Sequence, residues 1–154
     1  MMIHVDIPQR GSFELQHAVF DINGTLAVDG KPLPNVAAAL KSLATFLSIH
    51  LLTAGTHGNL KELEETFGFP LQIISNGEEK AWYVQQLGPD RVIAFGNGAN
   101  DAGMLRLAAI GVAVLAAEGV AISALHAADV LVSGPIDAIE LVLKPKRLVA
   151  TLRG

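Results

Sequence analysis

Short apolar runs alternate along this chain with segments of helical periodicity. Six runs are apolar at most positions, which is typical of strands covered on both faces of a parallel sheet. We place these strands at His17 to Ile22, Leu47 to Leu52, Leu71 to Ser75, Val92 to Phe95, Gly111 to Leu115 and Asp129 to Val132. The alternation of such strands with helical segments predicts an α/β fold with a central parallel sheet.

Amphipathic segments fill the intervals between these runs. We place helices at Val36 to Ala44, Leu60 to Phe67, Glu78 to Leu87, Ala102 to Ala108, Gly119 to Ala127 and Ile136 to Leu143. Gly68, Gly88 and Gly134 are suitable stops. The opening IHVDIP and SFELQHAVF, separated by Gly11, predict an N-terminal hairpin. The terminal KPKRLVATLRG is expected to be a solvated, packed segment.

Composition narrows the class of protein. The chain has 154 residues, a length expected of a single domain, which we place at residues 1–154. Hydrophobic residues make up 51% and charged residues 17%, which argues against disorder. The longest apolar stretch, Leu107 to Ala117, is far shorter than the ~20 residues of a membrane helix, so no membrane association is expected.

The absence of cysteine excludes disulfides, zinc–thiolate sites and cysteine nucleophiles. The N-terminal residues lack the apolar run of a secretory signal, so a cytoplasmic location is expected. The net charge is -4, and no basic cluster precedes the C-terminal segment, so nucleic acid is not an expected partner.

Polar residues follow the predicted strands at the positions where a doubly wound sheet binds ligands. Asp21 ends HAVFD, Thr53 ends SIHLLT, and Lys80 lies in the first turn of the helix after LQIIS. The sequence GNGAND follows VIAF. The segment LAVDGKPLPN, directly after the Asp21 strand, predicts a tight hairpin or flap and not an inserted domain.

This ordered set resembles the four motifs of the haloacid dehalogenase superfamily, over essentially the whole chain. Those motifs are an Asp nucleophile in D-x-D-G-T, a Ser or Thr after a second strand, a Lys, and an acidic loop. DINGTL, LLTAG and GNGANDAGML look most like the soluble relatives of the P-type ATPase phosphorylation domain. The resemblance implies a three-layer Rossmann-like fold, here with an N-terminal hairpin and no cap domain.

The resemblance also implies roles for individual residues, with Mg²⁺ as the cofactor. The residues expected to act in catalysis are Asp21, Asn23, Thr53 and Lys80. Those expected to bind phosphate are Gly24, Thr25, Thr53, Ala54, Lys80 and Asn100. Those expected at the metal are Asp21, Asn23, Asn97 and Asp101. Asp21 would accept a phosphoryl group as an aspartyl phosphate, which divides one displacement into two easier steps.

Two positions depart from the family pattern. Asn23 stands where superfamily phosphatases carry an acid–base Asp, and Asn97 stands where they carry a metal ligand. An amide cannot shuttle protons or supply negative charge. We therefore expect weakened acid–base catalysis, a preference for aryl or acyl phosphates among phosphorylated small molecules, and slow hydrolysis of the phosphoenzyme.

Other interpretations remain open. The chain could be a non-catalytic phosphate- or metal-binding module with a regulatory or interaction role, because two carboxylates are missing. His57 is either a loop residue or an aid to substrate recognition or proton transfer. The high apolar fraction and the missing cap lead us to expect a homo-oligomer.

Overall fold

The computed structural model of the chain describes residues 1–74 and 76–154. Its strands are β1 (Ile3–Ile7), β2 (Gly11–Leu15), β3 (His17–Asp21), β4 (Ala27–Val28), β5 (Lys31–Pro32), β6 (Ser48–Thr53), β7 (Leu71–Ile73), β8 (Val92–Gly96), β9 (Ile110–Val114) and β10 (Val130–Val132). Its α-helices are α1 (Val36–Leu43), α2 (Leu60–Phe67), α3 (Gly77–Leu87), α4 (Ala102–Leu107), α5 (Ile122–Ala127), α6 (Pro135–Leu143) and α7 (Pro145–Leu152). Single 3₁₀ turns cover Pro89–Arg91 and Ala99–Asp101.

Six parallel strands form the central sheet in the order β10-β9-β8-β3-β6-β7. Strand β3 is central, and its register pairs Asp21 with Leu52 of β6 and Phe20 with Phe95 of β8. The two phenylalanine rings stack at a centroid distance of 4.3 Å. The carboxyl ends of β3, β6 and β8 therefore meet at one edge of the sheet, which confirms the predicted α/β architecture.

Helices cover both faces of the sheet because its strand residues alternate between two apolar clusters. Ala18 and Phe20 of β3 belong to one cluster, which includes buried residues of α1, α2 and α6. Val19, between them, belongs to the other cluster, which includes buried residues of α3, α4 and α5. A strand buried on both faces reads as continuously apolar, so the sequence pattern predicted it well.

The hairpin β1–β2 lies at the amino ends of the parallel strands, opposite the carboxyl ends of β3, β6 and β8. The backbone N–H of Gln16 donates to the carbonyl of Arg91, and that of Ser48 donates to the carbonyl of Gln16, so the hairpin exit joins the starts of β6 and β8. Arg10 in the hairpin turn pairs with Asp129 just before β10, at 2.8 Å. The predicted N-terminal hairpin is thus confirmed.

The C-terminal segment is a helix, which the sequence pattern did not predict. Helix α7 begins with Pro145 in its first turn and buries Leu148 and Leu152, one helical turn apart, with the helix packing on β1. The remaining predicted bounds differ little, except that α5 begins at Ile122 because residues 115–121 form a loop. The predicted end of the third strand, Ser75, lies outside the described residues.

The segment between β3 and α1 is a tight turn followed by the two-residue strands β4 and β5. This small hairpin confirms the prediction of a flap, and not an inserted domain, directly after the Asp21 strand. Within residues 1–74 and 76–154, no helix combines the length and apolar character needed to cross a membrane.

Candidate active site

A buried lysine lies between two buried carboxylates at the carboxyl edge of the sheet. Asp21 is the last residue of β3, and Lys80 projects from the first turn of α3. The Lys80 Nζ is 2.8 Å from Asp21 Oδ1 and 2.8 Å from Asp101 Oδ1. Asp21, Lys80 and Asp101 are 7%, 1% and 0% exposed. Because two anions share one cation, the ionised group carries a net charge of -1.

Asp101 organises the loop after β8. Its second oxygen, Oδ2, accepts hydrogen bonds from the backbone N–H groups of Asn97 at 3.0 Å and Gly98 at 2.9 Å. Its first oxygen is occupied by Lys80. Both oxygens of Asp101 therefore bind protein donors, and this carboxylate holds the lysine and the loop in place.

Burial and charge shift the pKa values in this group. Burial, together with the negative charge of Asp101, raises the pKa of Asp21 to about 7, although Lys80 and the Thr25 hydroxyl oppose the shift. Burial alone would lower the pKa of Lys80, but the charges of Asp21 and Asp101 outweigh it and raise that pKa. Lys80 is therefore a stable cation, whereas the ionisation of Asp21 is sensitive to its surroundings.

Thr25 lies behind the Asp21 carboxylate. Its hydroxyl oxygen is 3.3 Å from Asp21 Oδ2 and 3.3 Å from Asn97 Oδ1, and the residue is fully buried. The preceding Gly24 has φ 85°, and a Cβ there would overlap the side chain of Asn97. Glycine is thus required both for the turn and for the close approach. This position suits Thr25 to orienting Asp21, and the phosphate contact expected from the sequence stays a prediction.

Thr53 and Asn23 lie next to each other at the ends of β6 and β3. The Thr53 hydroxyl accepts a hydrogen bond from the Gly55 N–H at 3.1 Å and is 3.5 Å from Asn23 Nδ2. Asn23 Oδ1 is buried and has no hydrogen-bond partner among the described residues. A buried acceptor without a donor is costly, so this oxygen is suited to a ligand.

A cavity of about 260 Å³ opens onto the side chains of Asp21, Asn23 and Lys80. Six of its lining residues were predicted site residues: Asp21, Asn23, Ala54, Lys80, Asn97 and Asn100. Three were not predicted: Thr56, Gly98 and Glu118. Glu118 follows the end of β9, so the rule that ligands bind beyond strand ends could have found it. The structure brings all the predicted site residues to one edge of the sheet.

His57 lies beside this cavity and not in its lining. It is exposed, packs over Gly30 in the turn between β4 and β5, and lines a neighbouring cavity with Asn59 and Glu62. The Asn59 side chain donates to the Gly30 carbonyl at 2.7 Å. These contacts favour the interpretation of His57 as a loop residue that packs on the flap.

The donor set at the site meets the needs of Mg²⁺ only in part. Mg²⁺ binds one or two carboxylates and keeps several waters. Among residues 1–74 and 76–154, no three His, Cys, Asp or Glu side chains are grouped so that they could hold a metal ion. Asp21 offers one carboxylate and Asn23 an unpartnered amide oxygen, whereas Asn97 Oδ1 already contacts Thr25. The residues fit a weakly held Mg²⁺.

Comparison with known proteins places the chain in a family. A family model described as haloacid dehalogenase-like hydrolase matches residues 49–133, more than half of the chain. The chain belongs to the haloacid dehalogenase-like hydrolases. An uncharacterized protein of Methanocaldococcus jannaschii is 38% identical over 63 residues, which cover 41% of this chain and 68% of that protein. Family membership confirms the resemblance and the expectation of a hydrolase.

Solved structures of this superfamily share the fold. A 3-deoxy-D-manno-octulosonate 8-phosphate phosphatase from Moraxella catarrhalis, in complex with magnesium and phosphate ions and a KDO molecule, superposes with a TM-score of 0.68 at 14% identity, covering 90% of this chain and 94% of that one. The cobalt-bound form of the corresponding phosphatase of Haemophilus influenzae gives 0.69 at 13% identity, covering 91% and 94%. These likenesses confirm the predicted haloacid dehalogenase-type fold.

Proposed function

We propose that this hydrolase is a phosphohydrolase in which Asp21 accepts the phosphoryl group. The observation that carries the proposal is the Lys80 ammonium at 2.8 Å from Asp21, buried at the floor of an open cavity. A carboxylate facing an incoming phosphate needs such a cation to offset its charge. The magnesium and phosphate ions in the complex of the Moraxella catarrhalis phosphatase support the choice of substrate class.

In the first step, an Asp21 oxygen forms a bond to phosphorus, and the bond from phosphorus to the leaving oxygen breaks. Lys80 offsets charge on the transferred group, and Thr25 holds the carboxylate. The leaving oxygen departs with the electron pair of the broken bond. Asn23 has no proton of suitable acidity to give it, so leaving groups that are stable as anions, such as aryl or acyl oxygens, react best.

In the second step, water attacks phosphorus and Asp21 leaves as the carboxylate. This water must lose a proton to solvent, because the amide of Asn23, which stands where superfamily phosphatases carry the acid–base Asp, cannot accept it. General acid–base assistance contributes roughly 10² to 10⁴ in rate, so the phosphoenzyme should be hydrolysed slowly. The slow step is therefore hydrolysis of the phosphoenzyme and not its formation.

We assign Mg²⁺ as the cofactor, held by Asp21 and the oxygens of Asn23, with Asn97 beside them. When bound, the ion would offset the negative charge of the phosphoryl group. Asp101 would support the site indirectly, because its oxygens bind Lys80 and the loop N–H groups. The magnesium and cobalt ions bound to the two phosphatases above support a divalent ion.

The test is hydrolysis of p-nitrophenyl phosphate with and without Mg²⁺, in the unmodified protein, Asp21→Asn and Asn23→Asp. We expect Mg²⁺-dependent turnover that is lost in Asp21→Asn and rises roughly 10² to 10⁴-fold in Asn23→Asp. Acid quenching of the unmodified protein should trap an aspartyl phosphate. Equal turnover in Asp21→Asn would refute the role of the nucleophile.

A binding module is the second candidate, favoured by the engaged amide of Asn97. Its side chain contacts Thr25 and donates to the Gly119 carbonyl, so it behaves as a structural group. Absence of turnover in both the unmodified protein and Asn23→Asp, with retained phosphate binding, would support this candidate.

The remaining expectations concern the whole protein. We propose that residues 1–154 act as one domain, that the protein is cytoplasmic, and that it forms a homo-oligomer. Exposed apolar side chains on α5, on β10 and just after β9 support the last point: Leu115, Ile122, Leu125 and Leu131. A monomeric mass by light scattering at micromolar concentration would count against it.

A further inference from the structure

A single carboxylate stands at the mouth of the candidate active site without a cationic partner in the described part of the chain. Asp21 and Lys80, the other charged side chains that line the cavity, pair with each other. Glu118 is exposed, and its carboxylate Oε2 accepts a hydrogen bond of 3.2 Å from the backbone N–H of Asp29. The negative charge of Glu118 is therefore not offset within the cavity.

The loop that carries Glu118 is hydrogen-bonded to Asn97, a residue that lines the cavity. The Asn97 side chain donates to the Gly119 carbonyl at 3.1 Å, and the Ala121 N–H donates to the Asn97 carbonyl at 2.8 Å. Within the loop, the Gly119 N–H donates to the Ala116 carbonyl at 3.0 Å. Together with the bond from the Asp29 N–H on the flap, these contacts place the Glu118 carboxylate beside the cavity.

The rest of the rim is neutral. Thr56, Asn100 and Gly98 line the same opening and carry no charge. A phosphate seated on Lys80 would leave its organic group pointing toward this rim, since the floor is closed by buried residues. An anion at this rim repels a second anionic group on the substrate and attracts a cationic one.

We infer that Glu118 selects phosphate esters whose leaving group carries a quaternary or protonated amine. This inference rests on the proposed phosphohydrolase activity and names its substrate class. Attraction between unit charges about 4 Å apart in a wet site is about 1 kcal/mol, which corresponds to a preference of about fivefold. A more buried contact would increase this preference.

Two aryl phosphates that match in shape test the inference: 4-(trimethylammoniomethyl)phenyl phosphate and its uncharged 4-(2,2-dimethylpropyl)phenyl analogue. The measured quantity is the ratio of their kcat/KM values with Mg²⁺, compared between the unmodified protein and Glu118→Gln. This double comparison cancels the intrinsic difference between the leaving groups. Glutamine still accepts a hydrogen bond from Asp29, so the variant changes the charge and keeps the loop contact.

We expect the ratio to fall about fivefold in Glu118→Gln. Glu62→Gln is the matched control, because Glu62 is exposed and lines the neighbouring cavity and not the one onto which Asp21 opens. It removes the same charge and should leave the ratio unchanged. An unchanged ratio in Glu118→Gln, or an equal fall in both variants, would overturn the inference.

Turnover of p-nitrophenyl phosphate separates this inference from the proposed function. If that substrate is hydrolysed and the Glu118→Gln ratio does not change, the activity stands and the selectivity fails. If nothing is hydrolysed, the proposed function fails, and calorimetric binding of the two corresponding aryl phosphonates becomes the measurement. A preference for the cationic phosphonate that Glu118→Gln abolishes would still support the assignment of Glu118, and equal affinities would overturn it.

Discussion

At the scale of single residues, Lys80 is the group on which the site depends most. It offsets two carboxylates that are almost fully buried. Removing the cation leaves unpaired buried charge, and such changes cost about 3–5 kcal/mol in other proteins. We expect Lys80→Met to lower the free energy of unfolding in urea by about 3 kcal/mol, since protonation of one carboxyl relieves part of the cost.

The exposed Lys41 on α1 provides the matched control for this change. Lys41→Met removes the same charge from a solvated position and should change stability by less than about 0.5 kcal/mol. Similar losses in the two variants would show that the buried triad does not depend on its cation.

Asn97 makes a contact that aspartate could not make. Its amide donates to the Gly119 carbonyl, whereas a carboxylate has no proton to donate. We expect Asn97→Asp to bind Mg²⁺ at least about tenfold more tightly, because it adds a negative charge near Asp21. Isothermal calorimetry measures this affinity directly. Unchanged affinity would exclude Asn97 from the metal site.

The pKa of Asp21 gives a prediction about pH. Because the pKa of Asp21 is raised to about 7, the contribution of Asp21 to stability is fully present below about pH 4 and is lost as the pH rises through 7.

In the metal-free protein, we expect the Asp21 carboxyl carbon to titrate near pH 7 by NMR. Asp101→Asn should lower that midpoint, because the charge of Asp101 helps to raise it. A midpoint near pH 4 in the unmodified protein would contradict the prediction.

At the scale of elements, a chain of hydrogen-bonded side chains joins β3, β6 and α3. His17 Nδ1 is 3.1 Å from His50 Nε2, and His50 Nδ1 is 2.8 Å from the Tyr83 hydroxyl. Burial, with a smaller effect of His17, lowers the pKa of His50 to about 4. Tyr83 lies one turn from Lys80 on α3, so this chain of contacts helps to seat the helix that carries the lysine.

This arrangement predicts a loss of stability in acid. The unfolded state binds a proton at His50 near pH 6.5 and the folded state only near pH 4, so the His50 contribution is complete above pH 6.5 and decreases as the pH falls toward 4. We expect the free energy of unfolding in urea to decrease between pH 6.5 and 5. In His50→Gln this decrease should be smaller by about 1 kcal/mol, a value discounted for the partial exposure of His50. Parallel pH curves for the two proteins would contradict it.

The elements differ in how far the sequence determined them. Asp21, Thr53 and Lys80 were predictable because apolar runs locate the strands and parallel strands end at one edge. The position of the Thr25 hydroxyl, 3.3 Å from Asp21 Oδ2, was not predictable, because the sequence does not show on which side of the carboxylate a hydroxyl lies. Glu118 could have been found because it follows the end of β9, but its hydrogen bond with Asp29, 89 residues away, has no local pattern.

At the scale of the whole molecule, chemistry and anchoring occupy opposite edges of the sheet. The candidate site lies at the carboxyl ends of the strands, whereas the β1–β2 hairpin covers the starts of β6 and β8. Helix α7 packs on β1, so the two ends of the described chain meet there. Changes at this second edge should alter stability and leave the chemistry intact.

Leu148→Ala tests this separation. Leu148 on α7 is fully buried in the same apolar cluster as Val5 of β1, so its truncation should lower the free energy of unfolding by about 2–5 kcal/mol. Thr151→Ala, an exposed change on the same helix, should have little effect. The kcat/KM of Leu148→Ala for p-nitrophenyl phosphate, per folded molecule, should match the unmodified value. A stability loss no larger than that of Thr151→Ala would mean that α7 does not hold the hairpin, and a large loss of kcat/KM would mean that the two edges are coupled through the sheet.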